Sequence, residues 1–323
     1  LIPKKAKFIK ADISNDKKIS NILKKKFDIV LHFAAYVNNV ESIKNSKKYY
    51  LNNFEKSKNF IDCCIKNNIK YFIYSSTAAV YGNSLKKVKE RSKKKALTPY
   101  AKSKMRTENY LLNKKKKMNF TILRYFNVCG ADKSLRSGFS KKNLSNIFVK
   151  LCYCAKFKKK FIINGSNYDT SDGTPVRDFI HVSDLAILHY KFSNLMIHQN
   201  KSGIFNCGYG KGYSVKNIFD IFNKNLTHKI SYKIGSKRKN DIIYSVADIK
   251  KLKNSIKWRP KYFSLNKICK SSLKWYLNNN WKMTKTLTII IGLRSTISES
   301  QKKIIKNSIV ISSDFLKFQK KIM

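Results

Sequence analysis

Acidic residues are scarce in this sequence of 323 residues, which has 18 Asp and Glu against 69 Lys and Arg. The resulting net charge of +51 would suit a polyanionic partner such as nucleic acid. However, arginine, which reads bases and phosphates through paired hydrogen bonds, is also scarce, and the lysines are spread along the whole chain. We therefore interpret the charge as a compositional bias and do not predict a nucleic-acid partner. The excess charge should lower stability by self-repulsion, which salt reduces.

Disulfide and metal-binding patterns are absent as well. The seven cysteines are an odd number without a C-x-x-C pair, and the five histidines show no metal-ligand spacing. This pattern excludes a disulfide framework and predicts buried thiols in a reduced, cytoplasmic protein without a bound metal. We recognise neither a signal peptide nor an apolar run long enough to span a membrane, so we expect no membrane association.

Glycine is scarce too, and no glycine-rich loop precedes Asp12. A dinucleotide-binding fold usually opens with a strand, such a loop and a helix, whose backbone amides hold the pyrophosphate. The glycine cluster at residues 208–212 lies far downstream and does not open a first βα turn. We interpret that cluster as a loop and not as a pyrophosphate site.

Short apolar runs alternate with amphipathic helical patterns in the first part of the chain. The apolar runs predict strands at residues 7–9, 27–33, 71–76 and 120–125. The helical patterns lie around Ile19, Phe60 and Met105. This alternation predicts an α/β fold with a parallel, doubly wound sheet.

The stretch from Ser75 to Lys104 carries the strongest functional pattern. Thr77 follows an apolar run, so its hydroxyl lies at the carboxyl end of a strand, where open α/β sheets bind ligands. Tyr100 and Lys104 stand four apart in a helical pattern and therefore share one helix face. The ammonium of Lys104 would lower the pKa of Tyr100 and make it a candidate general base. A tyrosine and a lysine at this spacing often lie on the solvent-exposed surface of a helix. Here the upstream strand that ends at Thr77 favours a catalytic role instead.

These residues resemble the short-chain dehydrogenase/reductase superfamily, extended branch. Residues 124–127 read RYFN, and residues 168–182 read YDTSDGTPVRDFIHV, which is close to a signature of the 4-epimerases. Over about residues 7–278 the chain is thus similar to the UDP-glucose 4-epimerase family. That family interconverts UDP-glucose and UDP-galactose in galactose metabolism, through a 4-keto intermediate and with tightly bound NAD.

The resemblance implies a role for each catalytic residue. Tyr100 would take the proton of the sugar 4-hydroxyl, Lys104 would also hold the nicotinamide ribose, and Thr77 would bond the reacting oxygen. The other cofactor contacts that it implies are Asp12, Ile13, Phe33, Ala34, Ala35, Asn52 and Phe126. Because the family's first strand, glycine loop, first helix and second strand have no counterpart here, we interpret the sequence as N-terminally incomplete and expect weak NAD binding.

The resemblance also implies a UDP-sugar site. Its substrate contacts would be Thr77, Tyr100, Asn127, Asn143, Leu144, Arg177 and Arg238. Arg177 and Arg238 would clamp the diphosphate, since guanidinium groups bind such anions through paired hydrogen bonds. Without the surrounding match, Arg177 could equally pair with Asp178 at the surface. Ser245 stands where the family often has a bulky residue beside the sugar 2-substituent, which leaves UDP-N-acetylglucosamine open as a further substrate.

We divide the chain into an NAD-binding and a substrate-binding part. Residues 1–129 are assigned to a Rossmann-like domain that is completed by segments near residues 175–225. Residues 130–280 are assigned mainly to a smaller, interleaved α/β domain that binds the nucleotide sugar. Within it, Asp184 is predicted to cap a helix from Leu185 to Phe192.

The tail, residues 283–323, lies outside the resemblance and has no assigned role. Its pattern predicts strands at residues 284–293 and 309–311 with a helix at residues 298–306 between them. The tail would be either an appended domain or a neighbouring gene joined in frame.

Two alternatives to the epimerase remain open. A nucleotide-sugar 4,6-dehydratase would need an acid pair where this chain has Ala78 and Ala79, which disfavours it. A catalytically silent member that binds a nucleotide sugar or RNA would fit the missing glycine loop and the charge. The resemblance further implies a homodimer, because members of the family usually pair through a two-helix face.

Overall fold

A computed structural model describes residues 6–25, 27–140, 145–238, 241–278, 290–293 and 308–312, the last two segments by their backbone. The helices are α1 (Asp16–Leu23), α2 (Asn39–Lys44), α3 (Ser46–Tyr50), α4 (Lys56–Lys66), α5 (Pro99–Asn113), α6 (Ile147–Lys156), α7 (Val182–Gln199), α8 (Val215–Asn223), α9 (Lys250–Ile256) and α10 (Leu265–Leu277). A π-helical segment, Leu51–Glu55, joins α3 to α4, and a 3-10 turn spans Ala78–Tyr81. None of these described helices is long and apolar enough to cross a membrane.

The described strands form one large sheet and two small ones. The strands are β1 (Ala6–Lys10), β2 (Ile29–His32), β3 (Tyr71–Thr77), β4 (Asn119–Tyr125), β5 (Asn127–Cys129), β6 (Phe161–Asn164), β7 (Val176–His181), β8 (Gly203–Cys207), β9 (Gly212–Ser214), β10 (Tyr232–Gly235), β11 (Tyr244–Ser245), β12 (Ile290–Leu293) and β13 (Ser308–Ser312). The large sheet has the order β1-β13-β12-β2-β3-β4-β8, and the small ones are β10-β6 and β11-β7-β5, with β9 paired to β7.

The central strands confirm the predicted α/β fold class. β2, β3, β4 and β8 run parallel, and the predicted strands lie within two residues of the observed ones. Ile29 and Ile73 face a hydrophobic cluster that includes α7, whereas Val30 and Phe72 face a second cluster that includes α1 and α4. Because neighbouring side chains of a strand point to opposite faces, the sheet is covered by helices on both sides.

The first of these clusters also contains side chains of α6, α8 and α10. The apolar core therefore continues from the large sheet into the second half of the chain. The division predicted between residues 129 and 130 stays a prediction. All seven cysteines are buried as free thiols.

The two tail strands lie between β1 and β2 in the large sheet. β12 is antiparallel to both β2 and β13, and β13 is parallel to β1. Strands were predicted in both places, while the predicted helix at residues 298–306 lies outside the described residues. Within the part of the chain that the structure describes, β13 is the only strand paired with β1.

The prediction that Asp184 caps a helix was wrong. α7 begins earlier, at Val182, and His181 is its N-cap, with the ring Nδ1 accepting a hydrogen bond from the Ser183 amide at 3.1 Å. The helix also runs beyond the predicted end and stops at Gln199. His181 therefore has a structural role at the start of α7.

Asp184 instead lies buried in the first turn of α7 and joins three segments. Its carboxylate accepts hydrogen bonds from the hydroxyl of Tyr209 at 2.5 Å and from the amides of Lys261 and Tyr262 at 2.9 and 2.8 Å. A buried carboxylate needs such donors, and three of them satisfy it better than a cap would. Asp184 thereby anchors the segment before α10 to α7.

Deletion of residues 283–323 should lower the melting temperature, because it removes β12 and β13 and leaves backbone groups of β1 and β2 without ladder partners. We expect a decrease on the order of 5 °C or more in differential scanning calorimetry. Deletion of residues 313–323 alone is the control, since these residues follow β13. Equal melting temperatures for the two deletions would show that the tail strands do not support the sheet.

Candidate active site

Thr77 ends β3 at the carboxyl edge of the parallel strands. Its side-chain oxygen accepts a hydrogen bond from the amide of Ala79 at 3.2 Å and thereby caps the 3-10 turn. Because this cap starts a turn directly after Thr77, the chain leaves the sheet there and the strand ends at Thr77. The hydroxyl therefore stays at the edge of the sheet where ligands bind.

The start of α5 is determined by two neighbouring residues. The side chain of Thr98 accepts a hydrogen bond from the Ala101 amide at 3.2 Å, and Pro99 occupies the first helical position. Tyr100 consequently lies in the first turn of the helix. Lys104 follows one turn later, as the four-residue spacing predicted.

The structure brings the three predicted catalytic residues together. The hydroxyl of Tyr100 hydrogen-bonds to Thr77, and the ammonium of Lys104 donates to the carbonyl oxygen of Ser75 at 2.7 Å. Lys104 Nζ also lies 4.7 Å from the ring centroid of Tyr74. Thr77 and Tyr100 are each 8% exposed and Lys104 is 2% exposed, so the group is shielded from water.

Burial determines the protonation of this group. It raises the pKa of Tyr100, and the hydrogen bond with Thr77 opposes that effect only in part. The prediction that Lys104 lowers the pKa of Tyr100 is wrong for this structure, because burial outweighs the other influences. Burial also lowers the pKa of Lys104 to about 7, against the opposing charge of Glu108. An added positive charge near the phenol would favour its ionisation.

The ammonium of Lys104 suits a ligand that carries hydroxyl groups. Among the described residues it has one hydrogen-bond acceptor, whereas an ammonium offers three donors. The ribose of a nicotinamide dinucleotide could accept the others, so this end of the site fits such a cofactor. The small residues Ala34 and Ala35 follow β2 at the same edge of the sheet. The ring of Phe33 instead packs against His189, with centroids 4.9 Å apart.

Asp12, a predicted cofactor contact, already has protein partners. Its carboxylate accepts from the amide and hydroxyl of Ser14 at 2.9 and 2.7 Å and pairs with Lys56 Nζ at 2.6 Å. Burial tends to raise the pKa of Asp12, but these donors and the lysine charge outweigh it and lower the pKa. Ile13 packs into the second hydrophobic cluster. The contacts of Asp12 and Ile13 with a cofactor stay predictions.

Asn53 has a larger structural role than its neighbour Asn52. The buried amide of Asn53 exchanges two hydrogen bonds with the backbone of Tyr36, at 2.8 and 2.9 Å, and so fixes the loop after β2. Asn52 donates to the amide oxygen of Asn53 at 3.1 Å. Sequence reasoning missed both Asn53 and the Lys56–Asp12 ion pair, because neither pair of partners is close in sequence.

A second group of polar side chains surrounds Arg177 on β7. One nitrogen, Nη2, donates to Asp241 Oδ1 at 2.9 Å, and Nη1 donates to the carbonyl oxygens of Val176 and Ile243 at 3.0 and 3.3 Å. Burial lowers the pKa of Arg177, and the neighbouring charge of Arg238 adds to this effect. The structure thus places Arg177 and Arg238 near each other, as predicted for a clamp.

Arg238 completes this group. Its Nε donates to Asn164 Oδ1 at 3.1 Å, and the side chain is exposed. Of the two guanidinium groups, Arg177 pairs with the carboxylate of Asp241 and Arg238 bonds only to the uncharged Asn164 among the described residues, so the group has an excess of positive charge that suits a diphosphate. Ser245 lies opposite Arg177 in the β11–β7 ladder.

One segment connects the two groups. Tyr125, the last residue of β4, pairs with Thr77 in the sheet, and the buried Phe126 follows it. The exposed Asn127 then opens β5, which runs parallel to β7, the strand of Arg177. Asn127 pairs with Phe179, two residues after Arg177, so three residues of chain lead from the neighbour of Thr77 in the sheet to the strand beside Arg177. Asn143 and Leu144, also predicted to contact substrate, lie outside the described residues.

A buried tyrosine and lysine at the edge of a doubly wound sheet define an enzyme of the extended short-chain dehydrogenase/reductase type. The model of one family, described as the NAD dependent epimerase/dehydratase family, matches residues 2–208. The chain belongs to this family.

Several known proteins are similar over most of their length. The UDP-glucose 4-epimerase of Lactobacillus helveticus is 35% identical over 277 residues, which are 84% of this chain and 84% of that protein. The structure of UDP-glucose 4-epimerase from Bifidobacterium longum in complex with NAD+ and UDP is 30% identical, with a TM-score of 0.76 over 83% of this chain and 82% of that chain. The UDP-Glc/GlcNAc 4-epimerase of Campylobacter jejuni is 35% identical, with a TM-score of 0.70 over 82% of each chain.

Replacement of Lys104 by methionine should change stability in a pH-dependent way. Below its pKa of about 7 the buried ammonium is charged and unfavourable. From about pH 7 to 10 the lysine is neutral in the folded state and still charged in the unfolded state, so the stability of the parent protein rises with pH. The melting temperature of Lys104→Met minus that of the parent should therefore be larger at pH 6 than at pH 9. An equal difference at both pH values would contradict this assignment.

Proposed function

We propose that this protein is a UDP-glucose 4-epimerase, which interconverts UDP-glucose and UDP-galactose with NAD as its cofactor. The observation that supports this most strongly is the short connection between the buried Thr77–Tyr100–Lys104 group and the Arg177–Arg238 group. Such a site can hold a nucleotide diphosphate at one end and expose its sugar to a base at the other. The named activities of the similar proteins agree with this arrangement.

The residues of the chain have separate roles in this reaction. Tyr100 as phenolate removes the proton of the sugar 4-hydroxyl and returns it later, Thr77 bonds the reacting oxygen, and Lys104 holds the ribose of the cofactor. When bound, NAD supplies a nicotinamide that accepts and returns a hydride, together with a positive charge that favours the phenolate. Burial of Tyr100 and Lys104 excludes water from the proton transfer.

Inversion at carbon 4 requires that the sugar turns while the nucleotide stays bound. Arg177 and Arg238 hold the diphosphate, and Arg177 is itself fixed by Asp241 and two carbonyl groups. A rigid anchor beside a roomy sugar pocket allows the ketose to present either face.

UDP-N-acetylglucosamine is a second candidate substrate, because the small Ser245 pairs with Arg177 in the neighbouring strand and one similar protein is named a UDP-Glc/GlcNAc 4-epimerase.

A dehydratase is less well supported, because Ala78 and Ala79 follow Thr77 in the 3-10 turn. Neither side chain can donate or accept a proton, and elimination of water needs an acid and a base beside the sugar.

Tyr100→Phe should lower kcat for UDP-galactose by about 10²–10⁴-fold, because the general base is lost. Binding of UDP, measured by calorimetry, should stay nearly unchanged. Tyr110→Phe is the matched control, since Tyr110 lies further along α5 and bonds to Asp62 at 2.6 Å. A Tyr100→Phe enzyme within about tenfold of the parent would exclude Tyr100 as the base.

Arg238→Gln should raise KM for UDP-glucose by about tenfold with a smaller effect on kcat, because it removes a cation from the diphosphate anchor. Arg136→Gln provides the control, as Arg136 is an exposed arginine paired with Asp132, four residues earlier in the sequence. Steady-state kinetics of both variants would test the anchor. An unchanged KM in Arg238→Gln would remove Arg238 from the proposed site.

The protein is also proposed to be a cytoplasmic homodimer. Its seven buried thiols suit a reducing compartment. A face for a second copy is offered by Tyr50, Leu51 and Phe54 before α4 together with Arg106 of α5. Leu51 is 54% exposed, and the guanidinium of Arg106 lies 4.7 Å from the ring centroid of Tyr50 and 5.8 Å from that of Phe54.

Leu51→Asp should therefore convert a dimer into a monomer, because it places a charge in the apolar contact. Light scattering after size-exclusion chromatography measures the mass directly. Leu85→Asp, at a leucine that is 78% exposed outside this face, should leave the dimer intact. A parent protein that is monomeric, or a dimer that survives Leu51→Asp, would contradict the proposed interface.

A further inference from the structure

Glu108 is a buried carboxylate to which the proposed reaction gives no role. It lies on α5 one turn after Lys104, so Tyr100, Lys104 and Glu108 form one stripe along the helix. Its side chain is 0% exposed. A charge buried so completely has to be paired, and its partners show what it does.

The carboxylate of Glu108 is held by Arg124 and Ser76. Arg124 on β4 donates through Nε to Oε1 at 2.9 Å and through Nη2 to Oε2 at 2.7 Å, which is a paired contact. Ser76 Oγ donates to Oε1 at 2.6 Å. Lys94 Nζ is more distant, 3.5 Å from Oε2. Glu108 therefore joins α5 to two adjacent strands of the sheet.

Arg124 is fixed in turn by a further set of buried groups. Its Nη1 donates to the hydroxyl of Tyr81 at 2.7 Å and to the carbonyl oxygen of Glu90 at 2.9 Å. The hydroxyl of Tyr81 donates to Asn206 Oδ1 at 2.7 Å. The orientation of the guanidinium, and with it that of the Glu108 carboxylate, is thus determined from the 3-10 turn and β8.

This network begins directly beside the catalytic residues. Ser76, which bonds Glu108, lies between Ser75, whose carbonyl accepts from Lys104, and Thr77, which bonds Tyr100. A small shift of α5 along β3 would break the contacts of Lys104 and Glu108 together.

We propose that Glu108 is a positioning residue of the site, whose Arg124-held carboxylate locks α5 against β3 and keeps the ammonium of Lys104 charged beside Tyr100. The proposal rests on the proposed epimerase activity for its catalytic consequence only. Its electrostatic part concerns the folded protein and holds whatever the substrate is.

The ionisable groups around Lys104 leave Glu108 as its main electrostatic partner. Tyr100 on the same helix and Tyr74 on β3 have pKa values raised by burial, and burial lowers the pKa of His32 on β2 to about 3. Without the positive charge that NAD would add, these three groups are neutral at neutral pH and place no charge beside Lys104. The charge of Glu108 raises the pKa of Lys104 against the effect of burial.

A stability measurement tests the electrostatic part without any assay of activity. The difference in melting temperature between Lys104→Met and the parent protein is measured from pH 5 to 10. The same difference is then measured between the double variant Glu108→Gln/Lys104→Met and Glu108→Gln. The pH at which this difference begins to fall reports the pKa of Lys104. We expect it to move down by about one pH unit in Glu108→Gln. An unchanged pH would overturn the proposal, because a merely structural residue would shift all melting temperatures equally.

The pH profile of kcat/KM tests the catalytic part. The activity should decline as rising pH removes the proton of Lys104. In Glu108→Gln this decline should occur at a pH about one unit lower than in the parent, because the negative charge that holds the proton is lost. Glu108→Asp retains the charge and should restore the parental profile even if its melting temperature is lower. If Glu108→Gln shifts the stability transition but leaves the activity profile unchanged, the proposed function fails while the electrostatic role of Glu108 holds. If neither profile shifts, the role of Glu108 itself is overturned.

Glu108→Gln leaves Arg124 without its partner and could prevent folding. The double variant Glu108→Gln/Arg124→Gln avoids an unpaired buried charge and serves as the second test. In this double variant, the pH at which the melting-temperature difference caused by Lys104→Met begins to fall should also be lower than in the parent. A double variant with the parental transition would overturn the proposal.

Discussion

The hydrogen bond from the Lys104 ammonium to the Ser75 carbonyl holds the functional part of this protein together. It joins the first turns of α5 to the end of β3 and places a cation in a region that excludes water. Burial makes that cation unfavourable, so the surrounding structure has to compensate it. Glu108, which is held in place by Arg124, supplies part of this compensation because its negative charge raises the pKa of Lys104.

The large net charge of the chain has little to do with its site. Two arginines hold defined positions inside the protein: Arg124 is fixed in the core by Glu108, and Arg177 is fixed by Asp241. Arginine suits these positions because its planar fork is always charged and binds two acceptors at once. The many lysines contribute to the overall field, which attracts an anionic substrate but does not orient it.

Several features could not be predicted because they depend on contacts between distant residues. Asp184 was expected to cap a helix from its position alone, whereas the structure surrounds it with Tyr209, Lys261 and Tyr262. Lys56 forms an ion pair with Asp12, and no local pattern indicates this contact because the two residues are 44 apart in the sequence. The place of the tail strands between β1 and β2 likewise has no local signal.

The amino-acid sequence by itself determined the α/β class, the strands β2, β3 and β4, and the four-residue spacing of Tyr100 and Lys104, because these follow from local periodicity. It also carried the motifs around Arg177 by which the family is recognised. The tertiary structure alone decided which way the pKa of Tyr100 moves and which carboxylate supports Lys104. Those properties depend on burial and on through-space charges, and neither exists until the sheet and α5 have packed together.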